Sequence, residues 1–485
     1  MRAAAKIQSA GIPTVSIVGA GFDLIAKTVA KMEGSNEEAI AIYPGVIMTD
    51  KDEVFAEKVR SHILPAVLAK LVSAAGTDGA AASGDDAVSA TGERSATSGS
   101  PDAGDGFDPD TEFAPDQIVA RGSLAEVTDL FYERMWTDGL PIIPPTLNLV
   151  REFVERSGRA GSDVVGILMP SHREATVWSI AVNAVMAGCR PEYMPVLIAL
   201  VECLADRRFA LWDGGSTPGW EPLVVVSGAV VDDLKFNAAA AATRGGRQAN
   251  TTIGRFARLY MRNIAGLLTP PGSTDQAGFG YNFNVALAEN QAALDDIGWT
   301  TLREDEGFAR SQSTVSVQSS VSVSSPIYSA GSRAEQHLSM ISEMMLHAIS
   351  PGGAFIQYYM NDLFTVLAMG PSVARVVAED GWTKDDVRRY IGDHMRLSAR
   401  VINARAGASV DPHFRVQHST MGREFLASQD IDPSAIDESA TSFPALVDIG
   451  KMAITVSGNP ARNQSRGFVN NGQQGRRVTK AVGTP

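Results

Sequence analysis

A lone cysteine lies in segment 177–195, among residues able to make it reactive. Residues 177–186 have the apolar content of a buried helix, and Gly188 is a natural C-terminal stop. Pro191 suits the first turn of a second helix, and Glu192 is favourable beside that helix's positive end. Cys189 is therefore expected in a tight corner between two helices, close to free backbone N–H groups and next to Arg190. Both neighbours would favour the thiolate, which is a nucleophile at neutral pH. The alternative is a buried cysteine that fills the corner. Asn183 on the first helix and Glu192 on the second are placed to orient or protonate a substrate, and His172, ahead of the first helix, is a candidate base. Cys203 lies among Leu197, Leu200, Val201 and Leu204 and reads as core.

A second constellation runs from Thr243 to Arg255. Gly245 and Gly246 make a loop leading to Asn250 and Thr251 as N-cap residues. An amphipathic helix follows, with Ile253, Phe256, Ala257, Tyr260 and Ile264 on one face. Helix N-termini attract anions through unpaired N–H groups and the helix dipole, and arginines add forked donors. Arg190, Arg244, Arg247, Asn250, Thr251 and Arg255 are thus expected to hold a small organic anion. The competing reading is a surface loop with solvated arginines. Residues 136–146 contain Asp138-Gly139 and the prolines Pro141, Pro144 and Pro145, which make a rigid loop whose simplest use is packing. Among the seven histidines the closest pair, His413 and His418, fits neither one helix face nor one strand face, so no metal site is expected. Gly-x-Ser-x-Gly, phosphate-loop and zinc spacings are absent, and no cofactor is evident.

The elements that must position these residues separate into three stretches. Residues 1–75 read as a small α/β module: a strand at 14–18, a helix at 22–33, a strand at 39–44 and a helix at 57–72, an order that favours a parallel sheet. Gly19 and Gly21 lack the third glycine of a dinucleotide turn, so a plain strand-to-helix turn is expected. Pro65 should kink its helix or mark a restart. Residues 76–116 are rich in Ala, Gly, Ser, Thr and Asp, with too little apolar surface to offset ordering, and are expected to be a flexible acidic linker. Residues 117–485 read as a larger mixed α/β domain. Its helices are expected at 123–135, 148–156, 174–188, 192–205, 251–266, 335–348, 371–379 and 383–401, and its strands at 163–168, 222–231, 314–323 and 452–457.

Composition narrows the class. With 42 basic and 55 acidic residues the net charge is −13, which argues against nucleic acid as the main partner. Ten of the acids and one base lie in 78–116, so that segment carries −9 and the remainder is nearly neutral. Two cysteines exclude a disulfide scaffold and fit a reducing compartment. No signal peptide or stretch of about 20 apolar residues is read, so a cytoplasmic protein without membrane contact is expected.

Several segments resemble the UGSC-like family, which is named for a Cys/Sec-Gly-Ser-Cys motif. They are 135–146, 182–195, Ala249 to Arg255, Ala288-Glu289-Asn290 and 380–388, in the family's order across about 125–400, and residues 9–75 are similar to its short module. The naming motif, expected just upstream of Ile7, is not in the sequence, and Gly458-Asn459-Pro460-Ala461 stands where a Gly-Gly-Pro-Gly-Lys-like loop is expected. The resemblance implies thiol- or selenol-linked chemistry.

The expected function is a cysteine-dependent enzyme that uses Cys189 on a small anionic substrate, by lyase-type bond cleavage or thiol redox chemistry. The alternatives are a non-catalytic scaffold for a separate polypeptide carrying the Cys/Sec-Gly-Ser-Cys motif, and a ligand-binding protein that uses the arginine loop alone. Association into a homo-oligomer is a further expectation.

Overall fold

The computed structural model describes residues 4, 7–8, 12–20, 22–32, 39–45, 52–75, 114–214, 219–269, 277, 284–349, 358, 363–405, 415–470 and 475–483. Two compact units are present, 1–107 and 108–485. Most of the expected linker, residues 76–113, lies outside the described residues. Its last three residues do not: Ala114 closes a turn with Gln117 in the larger unit, so that unit's described part starts before residue 117.

The smaller unit has the expected order. Strand β1 (Ser16–Gly19) runs parallel to β2 (Ile40–Tyr43), and helix α1 (Asp23–Met32) packs Ala26 and Ala30 against Ile40 and Val18. Helices α2 (Asp52–Lys58) and α3 (Leu64–Ala75) are joined by a π-helical turn, Val59–Ile63. Pro65 follows that turn directly. A proline removes one ladder bond, and the wider turn before it absorbs the loss without ending the helix.

The larger unit is built on two sheets. The first has strand order β15-β7-β5-β6, formed by β5 (Glu221–Ser227), β6 (Leu287–Ala288), β7 (Thr314–Ser320) and β15 (Val478–Ala481). The second has order β13-β10-β14-β8. Its strands are β8 (Ser322–Val323), β10 (Thr365–Met369), β13 (Met452–Val456) and β14 (Gln464–Val469), with β9 (Ile327–Tyr328) also on β14. Parallel pairs join β5 to β6 and β10 to β13; the rest are antiparallel.

The sheets are tied where β6 ends. Glu289 donates its N–H to Val226 O on β5, and Asn290 donates to Val456 O on β13. The Glu289 carboxylate is almost fully buried and accepts from Ser227 Oγ (2.5 Å), Thr455 Oγ1 (3.0 Å) and the Leu302 N–H (2.9 Å). Burial pushes this carboxyl up, and the Ser227 bond with the nearby Lys384 charge opposes the rise.

Helices α6 (Val177–Ala187), α7 (Met194–Ala205) and α8 (Gln248–Asn263) make the main core with the first sheet. Ahead of them stand α4 (Leu124–Glu133), α5 (Leu147–Arg156) and the hairpin of β3 (Val164–Leu168) and β4 (Arg173–Thr176). The second sheet carries α10 (Ala334–Ile349), α11 (Pro371–Glu379) and α12 (Lys384–His394), with α9 (Gln291–Ile297) against α11.

Several expected elements change, and the strand expected at 314–323 breaks at Val321 into β7 of the first sheet and β8 of the second. The single helix at 383–401 divides into α12, strand β11 (Arg396–Ser398) paired with β12 (Ser442–Pro444), and α13 (Ala399–Arg405). The strand expected at 222–231 ends at Ser227, because Gly228 turns with φ +111° into a short helix, Val230–Asp233. Among the described residues no helix is long and apolar enough to cross a membrane.

Candidate functional site

The α6/α8 pair carries the residues singled out above and decides which of them meet. The helices run antiparallel. At one end Ser179 Oγ bonds Tyr260 Oη (2.9 Å), and Asn263 Nδ2 donates to Asn183 Oδ1 (2.8 Å). At the other end Gln248 Nε2 donates to Gly188 O (3.2 Å), and the Cys189 thiol faces Thr252 O (3.5 Å). The sixteen residues of α8 separate these ends by about 22 Å.

Gly254 lets α8 lie in its place. A Cβ there would come within 2.6 Å of the Asn284 and Val285 backbone, so a larger residue would push the helix off that strand-leading segment.

The arginine end joins two sequence motifs. Helix α6 stops at Gly188, with φ +82°, and the reciprocal bonds Cys189 N–H to Ala184 O and Gly188 N–H to Val185 O close it. Arg190 then caps a 3-10 turn, Pro191–Tyr193, that leads into α7. The predicted corner is present, but its electrostatics differ from expectation. Cys189 is buried, its own N–H is spent on α6, and the exposed Arg190 turns away to give Nε to Gln248 Oε1 (2.7 Å). Burial pushes the Cys189 thiol up to about 12; the Thr252 contact and the Arg255 charge only partly oppose it. The expectation of a low-pKa thiolate is therefore corrected. Glu192 is exposed on the 3-10 turn.

Helix α8 begins at Gln248, two to three residues before the expected caps, and no side chain caps its N-terminus. Asn250 and Thr251 are inside its first turn. Asn250 is buried and fully committed: Oδ1 accepts from Asn237 N–H (2.8 Å), and Nδ2 donates to Asn237 O (3.1 Å) and Ala286 O (2.9 Å). It braces the loop and is not free for a ligand. Thr251 Oγ1 accepts from Gly246 N–H (3.1 Å) and so shapes the glycine turn.

Arg255 is likewise corrected. Its fork grips Asp138 (Nε to Oδ2 2.9 Å, Nη2 to Oδ1 2.8 Å) and reaches Pro141 O (2.9 Å). The rigid 136–146 loop is thereby clasped to α8. Burial raises the Asp138 carboxyl, but the Arg255 hydrogen bonds and charge outweigh it, leaving the group below its usual value. Arg244 and Arg247 remain: both are exposed, no ion pair engages them among the described residues, and they flank the uncapped turn.

The opposite end is a cleft of about 1320 Å³. Phe131, Trp136 and Met186 give it apolar walls, and His172, Ser179 and Asn183 add polar groups. Helix α6 presents Ser179, Val182, Asn183 and Met186 to it, one face at three- and four-residue spacing. His172 sits exposed in the β3–β4 turn with φ +60°. It precedes α6 and Cys189 follows it, so about 16 Å of helix lies between them, and His172 cannot serve that thiol. Asn183 donates Nδ2 to Ser179 O (2.9 Å) and accepts from Asn263; it belongs to the cleft and not to the cysteine.

Sequence reasoning missed the Asp138–Arg255 clasp, although Asp138 and Arg255 stood in two of the quoted motifs. It also missed the buried carboxylate of Glu289. Among the described residues no three His, Cys, Asp or Glu side chains stand together as a metal site. No family model, no curated protein and no solved structure matches this chain.

Proposed function

We propose that this chain is a thiol-dependent enzyme of small organic anions, and that the N-terminus of α8 is its substrate site. The observation that carries the reading is the convergence of the cysteine corner with the arginine loop. Gln248 bonds both Gly188 and Arg190, and Cys189 lies against Thr252, one turn into the helix whose approach carries Arg244 and Arg247. These segments are about 60 residues apart in the chain, and their meeting joins an anion-attracting helix end to a thiol.

The substrate's carboxylate or phosphate would take the N–H groups at the start of α8 and the Arg244 and Arg247 guanidinium groups, which no partner engages among the described residues. Burial holds Cys189 protonated, which disfavours thiolate attack on carbon and leaves hydrogen-bond or proton donation to a developing strongly basic anion as its role. Of the two reaction classes that suit a lone thiol, bond cleavage assisted by a protonated thiol fits this environment better than redox chemistry through a standing thiolate.

The experiment is a screen of small carboxylates and phosphate esters for turnover, with Cys189→Ala and Cys189→Ser assayed on any substrate found. Loss of turnover in both variants with substrate binding kept supports the reading, and full turnover in either refutes the role of Cys189. The raised thiol also favours a second reading, in which this chain binds the anion and a Cys/Sec-Gly-Ser-Cys segment on another polypeptide reacts with it. Turnover that appears only when such a polypeptide is added, and that survives Cys189→Ala, would select it.

A further inference from the structure

Outside the α6/α8 pair, one serine and one histidine are held in the arrangement of a nucleophile and its base. Ser329 follows β9, Ala334 begins α10, and the intervening turn is fixed on several sides. Ser329 N–H donates to Asn463 O (3.2 Å), and Ser332 and Arg333 N–H donate to Gln336 Oε1 (2.9 and 3.1 Å). Ala334 N–H donates to Asp380 Oδ2 (2.9 Å), and the Arg333 guanidinium pairs with the same carboxylate (3.0 Å).

From the first turn of α10 the fully buried His337 reaches back into this turn. Its Nε2 is 3.1 Å from Gly331 O and its Nδ1 is 2.7 Å from Ser329 Oγ. A carbonyl oxygen only accepts, so Nε2 carries the hydrogen and, in the neutral ring, Nδ1 presents its lone pair. The Ser329 hydroxyl is then the donor. A nucleophile, a base of fixed tautomer and a group that orients the base are the parts of an activated serine. Here a backbone carbonyl takes the place of the usual carboxylate.

The surroundings fit reaction at the surface. Ser329 is half-buried, while Tyr328 is 66% exposed and Ala330 to Arg333 are exposed. The N–H groups of Ala330 and Gly331 donate to no described residue and stand next to the hydroxyl in the chain, the kind of donors a developing oxyanion needs. Gly331 has φ +143°, and a Cβ there would strike the Gln336 side chain, so the turn depends on glycine.

We propose that Ser329 and His337 form an acyl-transfer site for small reactive esters, independent of the site at α8. Ser329 Oγ bonds the ester carbonyl carbon as its proton passes to His337 Nδ1, while Nε2–H stays on Gly331 O. The tetrahedral oxyanion collapses, the bond to the leaving oxygen breaks, and that oxygen takes the proton from Nδ1. Water repeats the sequence on acyl-Ser329, with Nδ1 again taking and returning a proton, to give the free acid and the original serine. Without a buried carboxylate to stabilise the imidazolium, esters with good leaving groups are the substrates.

The test uses the full chain and p-nitrophenyl acetate, with peptide mass spectrometry to locate acetyl groups. Ser332 is an internal control, since it is exposed on the same turn and has no imidazole beside it. Ser329 is expected to acetylate about 100-fold faster than Ser332, the lower range for general-base assistance. Ser329→Ala should remove the p-nitrophenolate burst, and His337→Gln should slow acetylation of Ser329 by a similar factor. Equal acetylation of Ser329 and Ser332, or an unmodified Ser329 in a wild-type chain that releases no p-nitrophenolate beyond the spontaneous rate, would overturn the proposal whether or not either variant folds.

Discussion

Replacing Arg255 by alanine separates a structural clasp from a substrate contact. In the folded protein its fork holds Asp138, which is only 9% exposed, and its second branch reaches the Pro141 carbonyl. Arg255→Ala leaves a largely buried carboxylate without its hydrogen-bonded counter-charge, a loss worth about 3–5 kcal/mol for a buried pair. The Arg255 side chain keeps 15% of its surface, so water relieves part of that cost and the lower end is expected, about 3 kcal/mol.

The pH dependence has a definite sign. The folded Asp138 carboxyl lies below the usual aspartate value, so its contribution is present above the unfolded pKa and disappears as pH falls through the folded value. In the variant burial is opposed only by the backbone N–H bonds of Asp138 and Leu140 and the more distant Arg262 charge, and the carboxyl binds its proton more readily. The gap between the two proteins should therefore narrow below about pH 4. Urea unfolding of both proteins at neutral and acidic pH reads the gap directly. A loss below about 1 kcal/mol at neutral pH, or a gap that widens on acidification, would refute the clasp.

Cys189 should alkylate with iodoacetamide roughly three orders of magnitude more slowly at pH 7 than a free thiol of pKa about 8.5, because a thiol at about 12 has far less thiolate; near-equal rates by mass spectrometry would contradict its burial. Gly254→Ala should destabilise the larger unit by about 1–3 kcal/mol in a urea melt, through overpacking against the Asn284–Val285 backbone; an unchanged midpoint would show that the helix can shift freely. Glu289→Ala should cost at least about 3 kcal/mol, since Ser227, Thr455 and the Leu302 N–H lose a common acceptor; a smaller loss in the same assay would mean that other groups or water replace it.

The sequence was most readable where one element decides its own limits. Helix α11 occupies the expected 371–379, fixed by Pro371 at its start, and α6 stops at Gly188 as its left-handed conformation requires. Strand β10 escaped notice because five apolar-rich residues fit a strand or a buried helix turn equally well. Strand β14, with Gln464, Ser465 and Arg466, lacks the expected alternation, and its pairing with β10 and β8 supplies what periodicity does not.

At the candidate site the residue types were legible and their partners were not. The corner at Cys189 followed from Gly188 and Pro191. The charge state of its thiol depended on burial and on where Arg190 turned, both set by α8 about 60 residues away. Arg255 looked like an anion ligand because Asp138 is 117 positions distant in the chain. His172 and Asn183 lay near Cys189 in sequence, but a straight helix carries sequence neighbours apart, and both face the cleft instead.

The central claim is that the N-terminus of α8 binds an organic anion through Arg244 and Arg247. The most direct measurement is the thermal stabilisation of the wild-type chain and of an Arg244→Ala/Arg247→Ala variant by inorganic phosphate and by a panel of small carboxylates. At least one of these anions should stabilise the wild type and bind the variant about ten-fold more weakly, a difference of about 1.4 kcal/mol. Equal stabilisation of both proteins, or none of the wild type by any of these anions, would contradict it.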